Sequence, residues 1–197
     1  MFQGEPVFLD LELYRPPTGT GRAGFFNKNT KIILAAIGVG AGRNVRIELY
    51  PEWRLGGEKA IIEKLLGRLG ELSSVVEGRN KRLLVGYGIL TTDLPIIAAK
   101  SRAYRLRGAE STLYRRFIVL DLFQYALSKY RGEGLPSMAW LAGQVLGAGN
   151  TKRSGHIVHE LYENGSYREI EEYQYEELRL LARVYEALAR EWWGPEG

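Results

Sequence analysis

The chain has 197 residues, 45% of them hydrophobic and 25% charged, with a formal net charge of +4 and no cysteine. That size and balance suit one soluble globular domain spanning 1–197, and the lack of cysteine removes disulfides, thiolate zinc sites and thiol nucleophiles together. No apolar run approaches the roughly 18 residues of a membrane span, and a strand pattern begins too close to Met1 for a signal peptide, so the expectation is a cytoplasmic protein with no membrane partner.

In chain order, PVFLDLELY (6–14) alternates as a first strand. KIILAAIGVG (31–40) and NVRIELY (44–50) read as a hairpin joined by a short turn. Ile61, Leu65, Leu66, Leu69 and Leu72 fall at helical spacing, ending near Gly78. KRLLVGY (81–87) is a short buried-type strand. TDLPIIAAKSRAYRLR opens a helix, with Thr92 as a capping residue and Pro95 in its first turn. RRFIVLDLF (115–123) is another strand followed by a short helical piece, and PSMAWLAGQVLG (136–147) is a helix. From Ser166 to Trp193 runs a long helix with Leu178, Leu181, Tyr185, Leu188 and Trp192 on one stripe. The order is that of a mixed α/β protein, a sheet covered by helices.

GTGRAG (19–24) matches G-x-G-x-x-G letter for letter. A dinucleotide fingerprint needs those glycines to close a strand and open a helix. Here Pro16 and Pro17 intervene, no helical period follows, and Asp10 and Glu12 would repel a phosphate. The segment reads as a loop whose Arg22 and Lys28 can touch a polyanion.

The first strand carries its own puzzle. Alternation puts Val7, Leu9, Leu11 and Leu13 on one side and Phe8, Asp10, Glu12 and Tyr14 on the other, with the two carboxylates about 7 Å apart. Two adjacent acids cannot be buried without compensation. The face is therefore either solvated or held by cations, and the pair alone leaves both readings open. Three further segments bear on the choice. Asp93 stands where a strand ends and a helix starts, Asp121 ends another strand, and Tyr173 and Glu177 share one face of the last helix.

Taken in order, these segments resemble the DEDD superfamily of 3′–5′ exonucleases on the ribonuclease-H-like fold, most closely the exonuclease related to family-B DNA polymerases. The family's D-x-E on the first strand is matched by Asp10-Leu11-Glu12. Its V-G-Y-N-x-x-x-F-D-L-P is matched by Val85 to Pro95, and its Y-x-x-x-D on the last helix by Tyr173 to Glu177. VLDLF, SMAWLAGQVLG and HELYENG resemble the intervening segments, so the similarity spans nearly the whole chain. Gly88 and Thr92 depart from the usual Asn and Phe, and Glu177 from the usual Asp.

The resemblance implies a mixed five-stranded sheet, antiparallel over its first three strands and then parallel, flanked by helices. It also implies hydrolysis of nucleic-acid phosphodiesters from a single-stranded DNA or RNA 3′ end, releasing nucleoside monophosphates, as in DNA repair or proofreading. Two Mg²⁺ or Mn²⁺ ions would be bound by carboxylates alone. Asp10, Glu12 and Glu177 would surround the nucleophile-side ion, Asp10 would bridge to the second, and Asp93 would fix that one. Tyr173 would orient the attacking water, and Glu12 would lie near the terminal ribose. Asp121 lies outside the family's metal set and reads as structural. Because a longer glutamate at 177 displaces an oxygen, a weak or inactive nucleic-acid-binding homologue acting as a partner subunit is the alternative.

Basic residues offer a track for that substrate: Arg22, Lys100, Arg102, Arg105, Lys152 and Arg153, with Tyr104 for stacking. Each also reads as ordinary surface charge. Phe25 and Phe26 suit either base stacking or core. His156 and His159 lack the partners of a zinc set and read as helix surface. Trp192 and Trp193 are candidates for an oligomer contact such as a homodimer, with one of them anchoring the helix. The excess of arginine over lysine resembles the bias of thermophilic proteins.

Overall fold

A computed structural model describes residues 4–15, 30–74, 81–147 and 157–194. The loop containing GTGRAG, Phe25, Phe26, Arg22 and Lys28, and the segment with Lys152, Arg153 and His156, lie outside the described residues.

β1 (Val7–Tyr14), β2 (Lys31–Val39), β3 (Arg46–Pro51), β4 (Arg82–Gly86) and β5 (Phe117–Asp121) form one sheet in the order β3-β2-β1-β4-β5. The first three strands pair antiparallel, whereas β4 joins β1, and β5 joins β4, in parallel. This is the mixed sheet expected, and it is consistent with the ribonuclease-H-like fold. The helices are α1 (Glu52–Leu55), α2 (Glu58–Ser74), α3 (Asp93–Ala103), α4 (Ala109–Arg115), α5 (Leu122–Lys129), α6 (Met138–Leu146), α7 (Ile157–Glu163) and α8 (Tyr167–Trp193). Among the described residues no helix is long and apolar enough to cross a membrane.

Period-two alternation in β1 divides the core into two layers. Val7, Leu9 and Leu11 pack with α2, α3 and α4 through Ile61, Leu65, Leu69, Ile97 and Leu113. Phe8 points the other way, into a layer built from α5, α6, α7 and the stripe of α8. Fully burying such side chains contributes about 1.5–3 kcal/mol each, and a one-residue slip of β1 would turn Asp10 and Glu12 into the apolar layer of α2, α3 and α4.

Two local features bring α8 and β1 together. At Gly38 in β2, an added Cβ would lie 2.9 Å from Val45 Cγ2 and 3.2 Å from Leu178 Cδ2, so the missing side chain lets α8 sit close on the sheet. Beside Glu12 the ladder slips: Glu12 pairs with Leu34 but Leu13 with Ile32, leaving Ile33 as an extra residue. Such a bulge bends a strand and re-aims its neighbours, and bulges recur beside active sites. Here it turns both Ile33 and Leu34 toward the α8 layer.

Candidate active site

The Phe8 side of β1 also carries Asp10 and Glu12. As β1 runs on past Phe8 its pairing with β4 ends, since only Val7 and Phe8 have partners there, and a cleft opens between the strand and α8. The cleft, open to solvent, has a volume of about 150 Å³ and is lined by Asp10, Glu12, Tyr87, Met138, Tyr173, Glu177 and Leu181. The acids of the first strand and the Tyr-Glu pair of the last helix thus meet at one place.

Each side chain is set by its element. Tyr173 and Glu177 are one turn apart on α8, and the phenol donates to Glu177 Oε1 at 2.5 Å. Burial raises the Tyr173 pKa far above its ordinary value, and the charge of Glu177, the hydrogen bond to it, and Glu12 and Asp10 add to the effect. The phenol keeps its proton and acts as a donor. Tyr87 forms part of the opposite wall, its hydroxyl donating to the Pro136 carbonyl at 2.6 Å.

Asp93 opens α3 and is buried. Burial raises its pKa well above the ordinary carboxylate value, and the charge of Asp10 raises it further. Backbone N–H groups of Leu11 and of Asp93 itself pull the other way. Thr92 makes no side-chain capping bond at this helix start.

The loop leading to Asp93 is organised by Asp121. Its Oδ1 accepts from the amides of Gly88 at 2.7 Å and Phe123 at 3.0 Å, and its Oδ2 from that of Leu90 at 3.1 Å. Gly88 sits at φ +75°, a left-handed conformation that glycine adopts freely and asparagine tolerates. That conformation accounts for a glycine at this turn.

The basic residues are placed differently from the acids. α3 packs in the layer on the other side of the sheet from the cleft. There Lys100 binds the buried Glu58 at 3.0 Å, and Arg102 binds Glu110 at 2.5 Å. Arg105 is exposed beyond the end of α3, at φ 59°. His159 lies on α7 with its ring 5.5 Å from that of Tyr14. Trp192 packs edge-on to Tyr125 at 5.2 Å and anchors α8, while Trp193 is 43% exposed.

One residue of the site has no counterpart in the sequence reading. Gln174 is fully buried, and its Nε2 donates to Asp10 Oδ2 at 2.9 Å. The signal available was its place between Ile170 and Leu178 on the buried stripe of α8, where a polar residue interrupts an apolar series.

Asp10, Glu12, Asp93 and Glu177 are all hard oxygen donors of the type that suits Mg²⁺ or Mn²⁺. A charged Asp93 buried beside Asp10 is costly, a cost that either a proton or a bound cation would relieve. Among the described residues no group of three or more Asp, Glu or His side chains forms a ready-made cation site. No protein-family model matches the chain, and no characterised protein shows significant similarity to it.

Proposed function

We propose that this protein is a metal-dependent 3′–5′ exonuclease that hydrolyses nucleic-acid phosphodiesters and releases nucleoside monophosphates. The observation that carries the reading is the meeting of Asp10, Glu12, Tyr173 and Glu177 around one cleft, with Asp93 buried beside Asp10.

Two divalent ions, Mg²⁺ or Mn²⁺, would supply activation of water and neutralisation of charge on the departing oxygen. Asp10, Glu12, Asp93 and Glu177 are the residues that would hold them. Tyr173, a donor that keeps its proton, orients groups in the cleft through its hydroxyl. Tyr87, Met138 and Leu181 give the same cleft an apolar wall against which a terminal sugar or base can rest. The substrate in this reading is the 3′ end of single-stranded DNA or RNA.

One observation favours a second reading, a weak or inactive nucleic-acid-binding homologue that works as a partner subunit. The Tyr173 hydroxyl bonds Glu177 itself, and the longer glutamate departs from the aspartate of the related family.

The test is incubation of 5′-labelled single-stranded DNA and RNA with Mg²⁺ or Mn²⁺. A ladder shortening from the 3′ end, reduced by more than about 100-fold in Asp10→Ala, is expected. Cleavage surviving undiminished in Asp10→Ala would refute the site. Salt-dependent binding without any cleavage would favour the second reading.

A further inference from the structure

We propose that Gln174 is a positioning residue for Asp10, fixing the orientation in which that carboxylate meets a divalent cation. The inference rests on the nuclease reading above and adds a residue that the acidic motifs do not contain.

Gln174 is completely buried in α8, and its only side-chain hydrogen bond within the described structure is the one it donates from Nε2 to Asp10 Oδ2 at 2.9 Å. Its Oε1 is buried with no hydrogen-bond partner among the described residues. The amide orientation is dictated by chemistry, because the reverse would press a carbonyl oxygen against a carboxylate oxygen.

Packing does not explain the residue. Ile170, Leu178, Leu181, Tyr185 and Leu188 continue the same buried stripe, so a leucine or methionine would complete it. An amide with an orphaned acceptor is destabilising there. What the amide provides is a directed bond to Asp10 from a rigid helix. It also provides that bond without charge: a lysine or arginine at this position would hold Asp10 as an ion pair and compete with a cation for it. Gly38 makes the contact reachable by allowing α8 to lie close against the sheet that bears Asp10.

The experiment compares wild type with Gln174→Met, which keeps length and bulk but has no donor. Mn²⁺ binding is titrated by electron paramagnetic resonance, and melting is followed in chelator. The variant is expected to bind Mn²⁺ about 10-fold or more weakly while melting no lower than wild type. A residue that merely packs the core would give the opposite pattern, lower melting with unchanged Mn²⁺ affinity. Affinity within about two-fold of wild type overturns the inference while leaving the nuclease reading in place. A wild type that binds no Mn²⁺ overturns both. Should the variant fail to fold, a Mn²⁺-soaked crystal of wild type decides. The ion on Asp10, with Gln174 Nε2 still in hydrogen-bond contact with that carboxylate, is the expected result. A separation beyond about 3.5 Å overturns the inference.

Discussion

Tyr173 donates a hydrogen bond of 2.5 Å to Glu177 one turn further along α8, inside the acidic cleft. The glutamate carboxylate at this spacing is within reach of the phenol, so the two side chains hold each other in place. Tyr173→Phe removes a bond to a charged group, worth about 1.5–3 kcal/mol. Urea unfolding at pH 7 is expected to show that loss, and the hydrolysis rate to drop by about 100-fold. Hydrolysis at the wild-type rate would remove Tyr173 from the mechanism.

Asp93 makes stability depend on pH in an unusual sense for a carboxylate. Folding raises its pKa, so the unfolded chain binds fewer protons, and stability falls as pH climbs above the ordinary value of about 3.9 toward the folded one. Asp93→Asn keeps an oxygen for the backbone N–H groups and removes the charge. In chelator at pH 8 the variant is expected to melt about 2–4 °C higher, with a flatter melting profile between pH 4 and 8. It should also lose the stabilisation that Mn²⁺ gives wild type. Parallel pH profiles for the two proteins would contradict this account.

Asp121 holds two amides of the loop that delivers Asp93, those of Gly88 and Leu90, and caps α5 through the Phe123 amide. Asp121→Ala leaves all three without their acceptor and is expected to cost about 3–5 kcal/mol. Asp121→Asn can keep Oδ1 for Gly88 and Phe123 while turning its NH₂ toward the Leu90 amide, so a smaller loss of about 1–3 kcal/mol is expected. Chemical denaturation of the pair checks the ranking, and an Asn variant as damaged as Ala would show that the Leu90 contact dominates.

Glu58 is a buried hub that accepts from the Ile32 amide at 2.7 Å, Lys100 at 3.1 Å and the Tyr104 hydroxyl at 2.6 Å. The hydrogen bond to Glu58, then burial, pushes the Tyr104 pKa up to about 12. The raised value means that this contact stabilises fully below the ordinary phenol value of about 10 and is lost as pH rises through the folded value. In Glu58→Gln the phenol should titrate nearer its ordinary value, read from the ultraviolet difference spectrum against wild type. Lys100→Met should lower stability by about 3 kcal/mol yet leave affinity for single-stranded DNA within about two-fold, measured by fluorescence anisotropy. A steep loss of affinity would return Lys100 to the nucleic-acid track.

The long periodic elements were legible in the sequence because their burial is one-sided. Alternation in β1 assigns Asp10 and Glu12 to one face and Leu9 and Leu11 to the other, and the stripe of α8 identifies Leu178, Leu181 and Leu188 as core. The short helices α1, α4 and α7 were not, since four to seven residues hold too few turns to show a period. Pairings between distant residues were hidden for a different reason. Nothing near Lys100 announces that Glu58, 42 positions away, neutralises it, and a lone glutamine on a helix looks like surface until its neighbours are seen to be buried.

The cleft is complete only once the first strand meets the final described helix, and the contact between Asp10 and Gln174 spans 164 positions. Domains fold as units while they emerge from the ribosome, but here the acids of β1 wait for partners made 164 positions later. A nascent polypeptide carries Asp10, Glu12 and even Asp93 without Tyr173 or Glu177 opposite them. Whatever this cleft does is therefore withheld until synthesis has passed Glu177, a delay imposed by connectivity alone.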